Sequence, residues 1–150
     1  MDGEISLLLN LIDQAFDKKA WHGTNLKGSL RRMTASEAAW RPAAGRHNAW
    51  EIAVHCAYWK YAVWRRLKAV KRGSFPLKGS NWFLRPGGDA DWKADLALLS
   101  AMHAQLREAI AGLKTVTKPA MLNGIAAHDL YHAGQIQLLR RLRQGAQGGV

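Results

Sequence analysis

Two histidines near the C-terminal end, His128 and His132, are four residues apart within an apolar stretch. Residues i and i+4 of an α-helix lie one above the other on the same face, so these two imidazoles can bind one metal ion together. A third histidine, His55, lies on a similarly apolar segment far upstream. Three imidazoles with one open coordination position form the ligand set of a typical catalytic metal site. The trio predicts such a centre if the fold brings His55 to the pair.

Each histidine also has a simpler interpretation, because a single inward histidine is more often a hydrogen-bonded core residue than a ligand. The pair is the stronger signal, since two buried imidazoles one turn apart are costly unless both are satisfied. The zinc-peptidase pattern His-Glu-x-x-His requires glutamate where this chain has Asp129. A peptidase is therefore disfavoured.

The elements that must position these histidines are helices, because helical periodicity dominates the chain and alternating β patterns are weak. Asn48 with Glu51, and Thr34 with Glu37, have the spacing of helix capping boxes. The pattern predicts a first long helix from about residue 4 to an interruption at Gly23, and others over 49–72, from a cap at Asp89 or Asp91 to about residue 113, and over 119–143. Short helical segments are predicted at 24–33 and 35–40. These long helices predict an all-α, four-helix bundle in one domain, residues 1–144, followed by a flexible tail at 145–150. The crossover at 74–88 contains Trp82 and Phe83, so we expect it to pack on the bundle.

Three stretches resemble signatures of the DinB-like superfamily. They are residues 46–60 (RHNAWEIAVHCAYWK), residues 127–136 (AHDLYHAGQI), and WHGT at 21–24 followed by EAAWRP at 37–42. The resemblance implies a bundle with up-down-down-up connectivity and a divalent metal held by three histidines, which map onto His55, His128 and His132. It also implies a homodimer and a relation to bacterial thiol-transferases.

Further site residues are predicted from helical spacing. Gln135, three residues after His132, could reach the open metal position, and Glu51, four residues before His55, could act as a base or simply cap its helix. Candidate pocket residues are His22, Trp50, Trp59 and His103. His47 precedes a predicted helix start, so we expect it to be exposed. Cys56, next to His55, is predicted to be a small buried side chain rather than a nucleophile.

Composition narrows the function classes. A single cysteine excludes an internal disulfide, and the acidic start of the chain lacks the features of a secretory signal, which together predict a cytoplasmic protein. The sequence contains no run of about 18 apolar residues, so a transmembrane helix is not expected. The net charge of +11 favours anionic partners, but the basic residues interrupt apolar stripes without a recognition motif. Nucleic-acid association is therefore the least favoured function.

The leading hypothesis is a metal-dependent enzyme that transfers a low-molecular-weight thiol to a small electrophile. Zn²⁺ and Ni²⁺ both suit imidazole ligands. A metal-bound thiol loses its proton and becomes a nucleophile at neutral pH. A metal-dependent hydrolase and a non-catalytic, dimerising metal-binding bundle are the alternatives.

Overall fold

The computed structural model describes residues 3–85 and 87–148. Within these ranges the chain is all-α and contains no strand. Its helices are α1 (Gly3–Phe16), α2 (Leu26–Ser29), α3 (Ala35–Ala39), α4 (Ala49–Lys68), α5 (Asp89–Ala111) and α6 (Pro119–Gly148). The predicted all-α class is confirmed, with four long helices and two short ones.

The predicted caps of α3 and α4 form as expected. The Asn48 side chain accepts a hydrogen bond from the Glu51 backbone at 2.8 Å, and the Glu51 carboxylate accepts one from the Asn48 backbone at 3.1 Å. The cap of α2 is Asn25 rather than the Thr24 that opens the predicted segment. Helix α4 ends four residues before the predicted Arg72, because Ala69 takes a left-handed φ of 55°. Alanine gives no sequence signal for that conformation.

Helix α6 is longer than predicted and continues to Gly148 instead of ending near residue 143. Residues 145–148 of the predicted tail are thus helical, while residues 149 and 150 lie outside the described residues; the tail's flexibility stays a prediction. Arg140 and Arg143 contact the carbonyl of Ser29 and the carboxylate of Glu37, respectively. This face of α6 meets α2 and α3, so Leu142, about 100° away around the helix, is 46% exposed.

The four long helices pack in a ring, with α4 against α5 and α6, and α1 against α5 and α6. Two buried clusters fill the interior. One surrounds Trp50 and the aromatic residues of α4 and the crossover. The other joins α1 to the C-terminal half of α5 and the N-terminal half of α6. Phe83 is buried against Tyr58, which confirms that the crossover packs on the bundle. Among the described residues, none of the helices combines the length and apolar character needed to cross a membrane.

Candidate metal centre

Helices α4 and α6 bring the three predicted histidines together. The Nε2 atom of His128 lies 3.1 Å from that of His55 and 3.2 Å from that of His132. One ligand atom from each of the three rings lies within 4.8 Å of the others. A single proton on His128 Nε2 can be donated to only one of the two neighbouring nitrogens. A metal ion would accept a lone pair from all three, so this donor set fits a cation.

Two of the rings are held by their other nitrogen. His55 Nδ1 lies 2.8 Å from the backbone carbonyl of Asn81, and His132 Nδ1 lies 2.7 Å from Gln135 Oε1. Both oxygens only accept hydrogen bonds, so Nδ1 carries the proton in each ring. The unprotonated Nε2 atoms are therefore the ones directed at the centre, which is how metal-binding histidines are commonly oriented.

The electrostatics keep these imidazoles neutral. Burial lowers the pKa of His55 to about 4 and that of His128 to about 3, and it also lowers the pKa of His132. The neighbouring histidines lower the first two further. A neutral imidazole is the form that ligates metal. His128 Nδ1 is buried without a hydrogen-bond partner, so this ring is the least constrained of the three.

Aromatic rings enclose one side of the centre. Trp82 of the crossover stacks on His55 with ring centroids 3.8 Å apart. His47 also stacks on Trp82, with ring centroids 3.6 Å apart. Trp59 meets His55 edge-on at 6.4 Å, and its Nε1 donates to the Asn81 side chain at 2.9 Å. Trp59 thus lies beside the centre but does not line the cleft described below, and its place in a substrate pocket stays a prediction. The crossover closes over α4 at this point.

A cleft of about 460 Å³ opens beside His132 and Trp82. We call it the histidine cleft. Its walls are mostly apolar, with Ile52 from α4 and Leu138 from α6, while Arg46 and His47 provide polar groups. Volume and lining match a small-molecule site, in which a few polar groups orient an apolar ligand.

A buried ion pair lies on the other side of His128. Lys60 Nζ and Asp129 Oδ2 are 2.5 Å apart, and each side chain is 1% exposed. Asp129 Oδ1 has no partner, although it belongs to a cluster with His128 and Cys56. Burial raises the pKa of Cys56 well above its ordinary value, so the thiol stays protonated. The ion pair and this thiol are therefore poorly suited to metal binding, and Cys56 is buried as predicted.

The contacts of three other predicted site residues differ from those that the predicted roles require. Glu51 is 3% exposed, and its carboxylate accepts hydrogen bonds from the Arg41 guanidinium and from the Asn48 backbone. It therefore caps α4 and pairs with Arg41 instead of acting as a free base. Gln135 orients His132 from behind, as described above. Trp50 is fully buried and donates to Asp95 at 2.6 Å, which makes it a core residue and corrects its assignment to a pocket.

The last two predicted pocket residues lie away from the three-histidine centre. His103 on α5 stacks on Phe16 of α1 with ring centroids 3.9 Å apart, so it faces α1 and not the three-histidine centre. His22 is exposed between α1 and α2 and does not line the histidine cleft. His47 is exposed as expected, yet it takes part in the stack on Trp82.

Sequence reasoning missed Asn81, which holds both His55 and Trp59. Its φ of 65° is a conformation that asparagine tolerates better than most residues. An asparagine beside a tryptophan in a long crossover was the only local signal. Lys60 is one of the basic residues that interrupt apolar stripes, and its spacing gives no sign that it is buried against Asp129.

Comparison with known proteins agrees with this arrangement. No curated protein and no solved structure matches the chain significantly. The family model of the DinB superfamily matches residues 20–136, a range that includes all three histidines, the whole of α4 and the first part of α6. This match spans well over half of the 150 residues, and the chain belongs to the DinB superfamily.

Proposed function

We propose that this protein is a metal-dependent enzyme in which His55, His128 and His132 hold one divalent cation. The convergence of their three Nε2 atoms carries the proposal. The fixed Nδ1 protons of His55 and His132 support it, because they leave Nε2 free to donate a lone pair. Zn²⁺ and Ni²⁺ are the proposed ions, and both are among those that imidazole ligands suit.

The proposed reaction is transfer of a low-molecular-weight thiol to a small electrophile. When bound, the ion would supply a Lewis acid that favours the deprotonated, nucleophilic form of a coordinated thiol. The residues described around the centre offer no nucleophile of their own. Cys56 is fully buried with a raised pKa, and the carboxylates of Glu51 and Asp129 are engaged by Arg41 and Lys60. These surroundings therefore favour a nucleophile supplied by a bound small molecule, such as the proposed thiol.

The histidine cleft is the proposed substrate site. It shares His132 and Trp82 with the surroundings of the centre, so a ligand in it lies next to the open side of the three rings. Its apolar walls favour an apolar body, and Arg46 favours an anionic or strongly polar substituent. His47 and Trp82, which stack on each other, both line this cleft.

Hydrolysis is the second candidate, because the same arrangement serves water as well as a thiol. The test is conjugation of a small thiol to 1-chloro-2,4-dinitrobenzene by protein of known metal content. In that reaction sulfur forms a bond to the ring carbon, chloride leaves with its bonding electrons, and the thiol proton passes to solvent. A panel of thiols and ester substrates separates the two candidates by the mass of the product.

The decisive variant is His128→Ala, with His22→Ala as a matched control on the exposed loop. We expect His128→Ala to lose both bound metal and turnover while keeping its circular dichroism spectrum, and His22→Ala to keep both. Folded wild-type protein that never retains a divalent ion after growth or reconstitution would rule out the enzyme. Metal retained without any turnover would instead favour the non-catalytic bundle.

The connectivity, assembly and location of the chain are also proposals. Up-down-down-up connectivity is supported by Trp50 near the start of α4 meeting Trp92 near the start of α5, as parallel neighbours do. A homodimer is tested by light scattering of purified protein. A cytoplasmic location agrees with a single, unpaired cysteine.

A further inference from the structure

A second cleft, larger than the histidine cleft, lies away from the three-histidine centre. It has a volume of about 920 Å³ and is formed by the C-terminal end of α1, the segment around α2, and one face of α5. We call it the basic cleft. It shares no lining residue with the histidine cleft. A volume of this size accommodates an organic molecule as large as a nucleotide.

The charges around the basic cleft are strongly unbalanced. Five cationic side chains line it against one carboxylate, that of Asp17. The cations are Lys18, Lys19, Lys27, Arg31 and Arg32. Within the described residues none of the five makes an ion pair, whereas Arg41, Arg85, Arg107 and Arg143 elsewhere each contact a carboxylate. Clustered like charges repel one another unless an anion lies between them.

The floor of the basic cleft is apolar. Phe16, Leu30, Leu96 and Leu99 line it, and Lys27 Nζ lies 5.8 Å from the centroid of the Phe16 ring. A solvated helix face would not need such a floor, because its charges project directly into water. A concave site with an apolar floor and a cationic rim matches a ligand that has an apolar body and an anionic group.

Two features of the rim point to the same ligand class. Trp21 lies between Ala20 and Gly23, both of which line the cleft, and its side chain is 100% exposed. Tryptophan is largely buried in most proteins, so a fully exposed indole beside a cleft is available to stack on a ligand ring. Arg32, which also lines the cleft, has a left-handed backbone with φ of 58°, an uncommon conformation that costs energy in a non-glycine residue.

We propose that the basic cleft is a second ligand site, which binds a small organic anion with an aromatic or apolar body. The anionic group contacts the cationic rim, and the body lies on Phe16 and the leucines, within reach of Trp21. A small molecule is favoured over a nucleic-acid strand because the site is a concavity with an apolar floor. A strand site would instead extend as a groove along the backbone.

The site is distinct from the proposed metal centre. The two are separated by Phe16, whose ring forms the floor of the basic cleft on one side and lies 4.9 Å from Lys60 Nζ on the other. Lys60 in turn contacts Asp129 beside His128. Binding in the basic cleft therefore does not require metal.

The test is isothermal titration of 1-naphthyl phosphate into the full chain, compared with 1-naphthol, inorganic phosphate and a single-stranded oligothymidylate. The variant Lys19→Glu/Arg31→Glu reverses two charges of the cleft. Its matched control is Lys114→Glu/Lys118→Glu, which makes the same change in net charge at two exposed lysines outside the cleft. We expect 1:1 binding of naphthyl phosphate that weakens on the order of tenfold in the cleft variant. The control variant should retain wild-type affinity, apart from the weakening that added salt produces in both.

Two further variants identify the position of the probe. Trp21→Ala should weaken naphthyl phosphate while leaving inorganic phosphate unchanged, and His128→Ala should bind the probe as wild type does. The proposal is overturned by equal losses in the two double variants, which would indicate net charge alone. It is also overturned if His128→Ala abolishes binding, or if the oligothymidylate binds more tightly with the same dependence on Lys19 and Arg31.

Discussion

Four histidines lie among the packed helices, three of them buried and His128 partly buried, and their surroundings divide them into two kinds. His55, His128 and His132 direct their Nε2 atoms at one another across 3.1 and 3.2 Å. His103, on α5, stacks on Phe16, and its Nε2 lies 3.5 Å from the Asp13 carboxylate. Burial lowers the pKa of His103 to about 3, as low as that of His128. Burial and a lowered pKa therefore do not distinguish a candidate ligand from a core histidine; convergence of unprotonated nitrogens does.

The four histidines should together make the metal-free protein sensitive to acid. The unfolded chain binds protons at imidazoles near pH 6.5, whereas folded His55 does so near 4 and folded His103 and His128 near 3. Because these folded pKa values are depressed, stability is complete above about pH 6.5 and falls as the pH drops toward 4. Asp129 acts in the opposite direction, since burial raises its folded pKa to about 6. We expect a net loss of several kcal/mol.

Urea unfolding between pH 4 and 8 in the presence of chelator measures this loss. In the variant His103→Gln, the free energy of unfolding should depend less on pH, because the contribution of His103 is removed. This variant should still gain stability from added zinc at pH 7.5. That separates the core histidine from the three candidate ligands. A free energy of unfolding that stays constant from pH 7 to 4 would contradict the lowered pKa values.

The next largest effect concerns the buried ion pair beside the centre. Replacing Lys60 by methionine leaves the Asp129 carboxylate buried without its partner, which should cost about 3–5 kcal/mol of stability. The double variant Lys60→Met/Asp129→Leu should recover most of that loss, because both buried charges are then removed. Chemical denaturation of the three proteins measures both effects.

The exposed pair of Arg143 and Glu37 is the matched control. Their side chains are 20% and 34% exposed, so Arg143→Met should cost less than about 1 kcal/mol. Equal losses for Lys60→Met and Arg143→Met would mean that burial of the first pair carries no extra cost. Metal affinity that survives in the double variant would show that the ion pair supports the fold and not the centre.

Removing one histidine of each kind tests the comparison directly. His132→Ala should lower zinc affinity on the order of 100-fold or more, because one of three converging nitrogens disappears. His103→Ala should leave zinc affinity unchanged, although it opens a space against Phe16 and lowers stability. Competition titration against a chromogenic chelator at pH 7.5 measures both. Equal affinity losses would mean that the three rings are not a separate centre.

The parts of this arrangement that the sequence predicts are those with a local period. The i and i+4 spacing of His128 and His132 and the capping box of Asn48 depend only on residues within one turn, and the structure contains both. Spacing within one helix could not say which neighbouring helix His103 and Trp50, both predicted pocket residues, would face. Those two residues pack against α1 and α5 instead of the centre.

The contacts that orient the rings depend on tertiary structure and have almost no sequence signal. Asn81 reaches His55 from a crossover, 26 residues further along the chain, through its backbone carbonyl. Any residue could supply that carbonyl, so no side-chain pattern marks it. Lys60 looks like a surface lysine until Asp129, 69 residues away, is placed against it. Prediction fails here because the decisive distances join separate elements.

The smallest effect concerns Gln135, which spacing alone assigned to the open metal position. Its Oε1 accepts from His132 Nδ1 at 2.7 Å, so it acts through the ring and not beside it. Gln135→Leu should therefore lower zinc affinity about tenfold, the low end for residues that orient a ligand. Gln105→Leu, on an exposed face of α5, is the matched control and should change nothing. Nitrogen NMR of His132 should show Nδ1 protonated in wild type and a mixture of tautomers in Gln135→Leu. If affinity falls while the tautomer is unchanged, Gln135 acts at the open position after all.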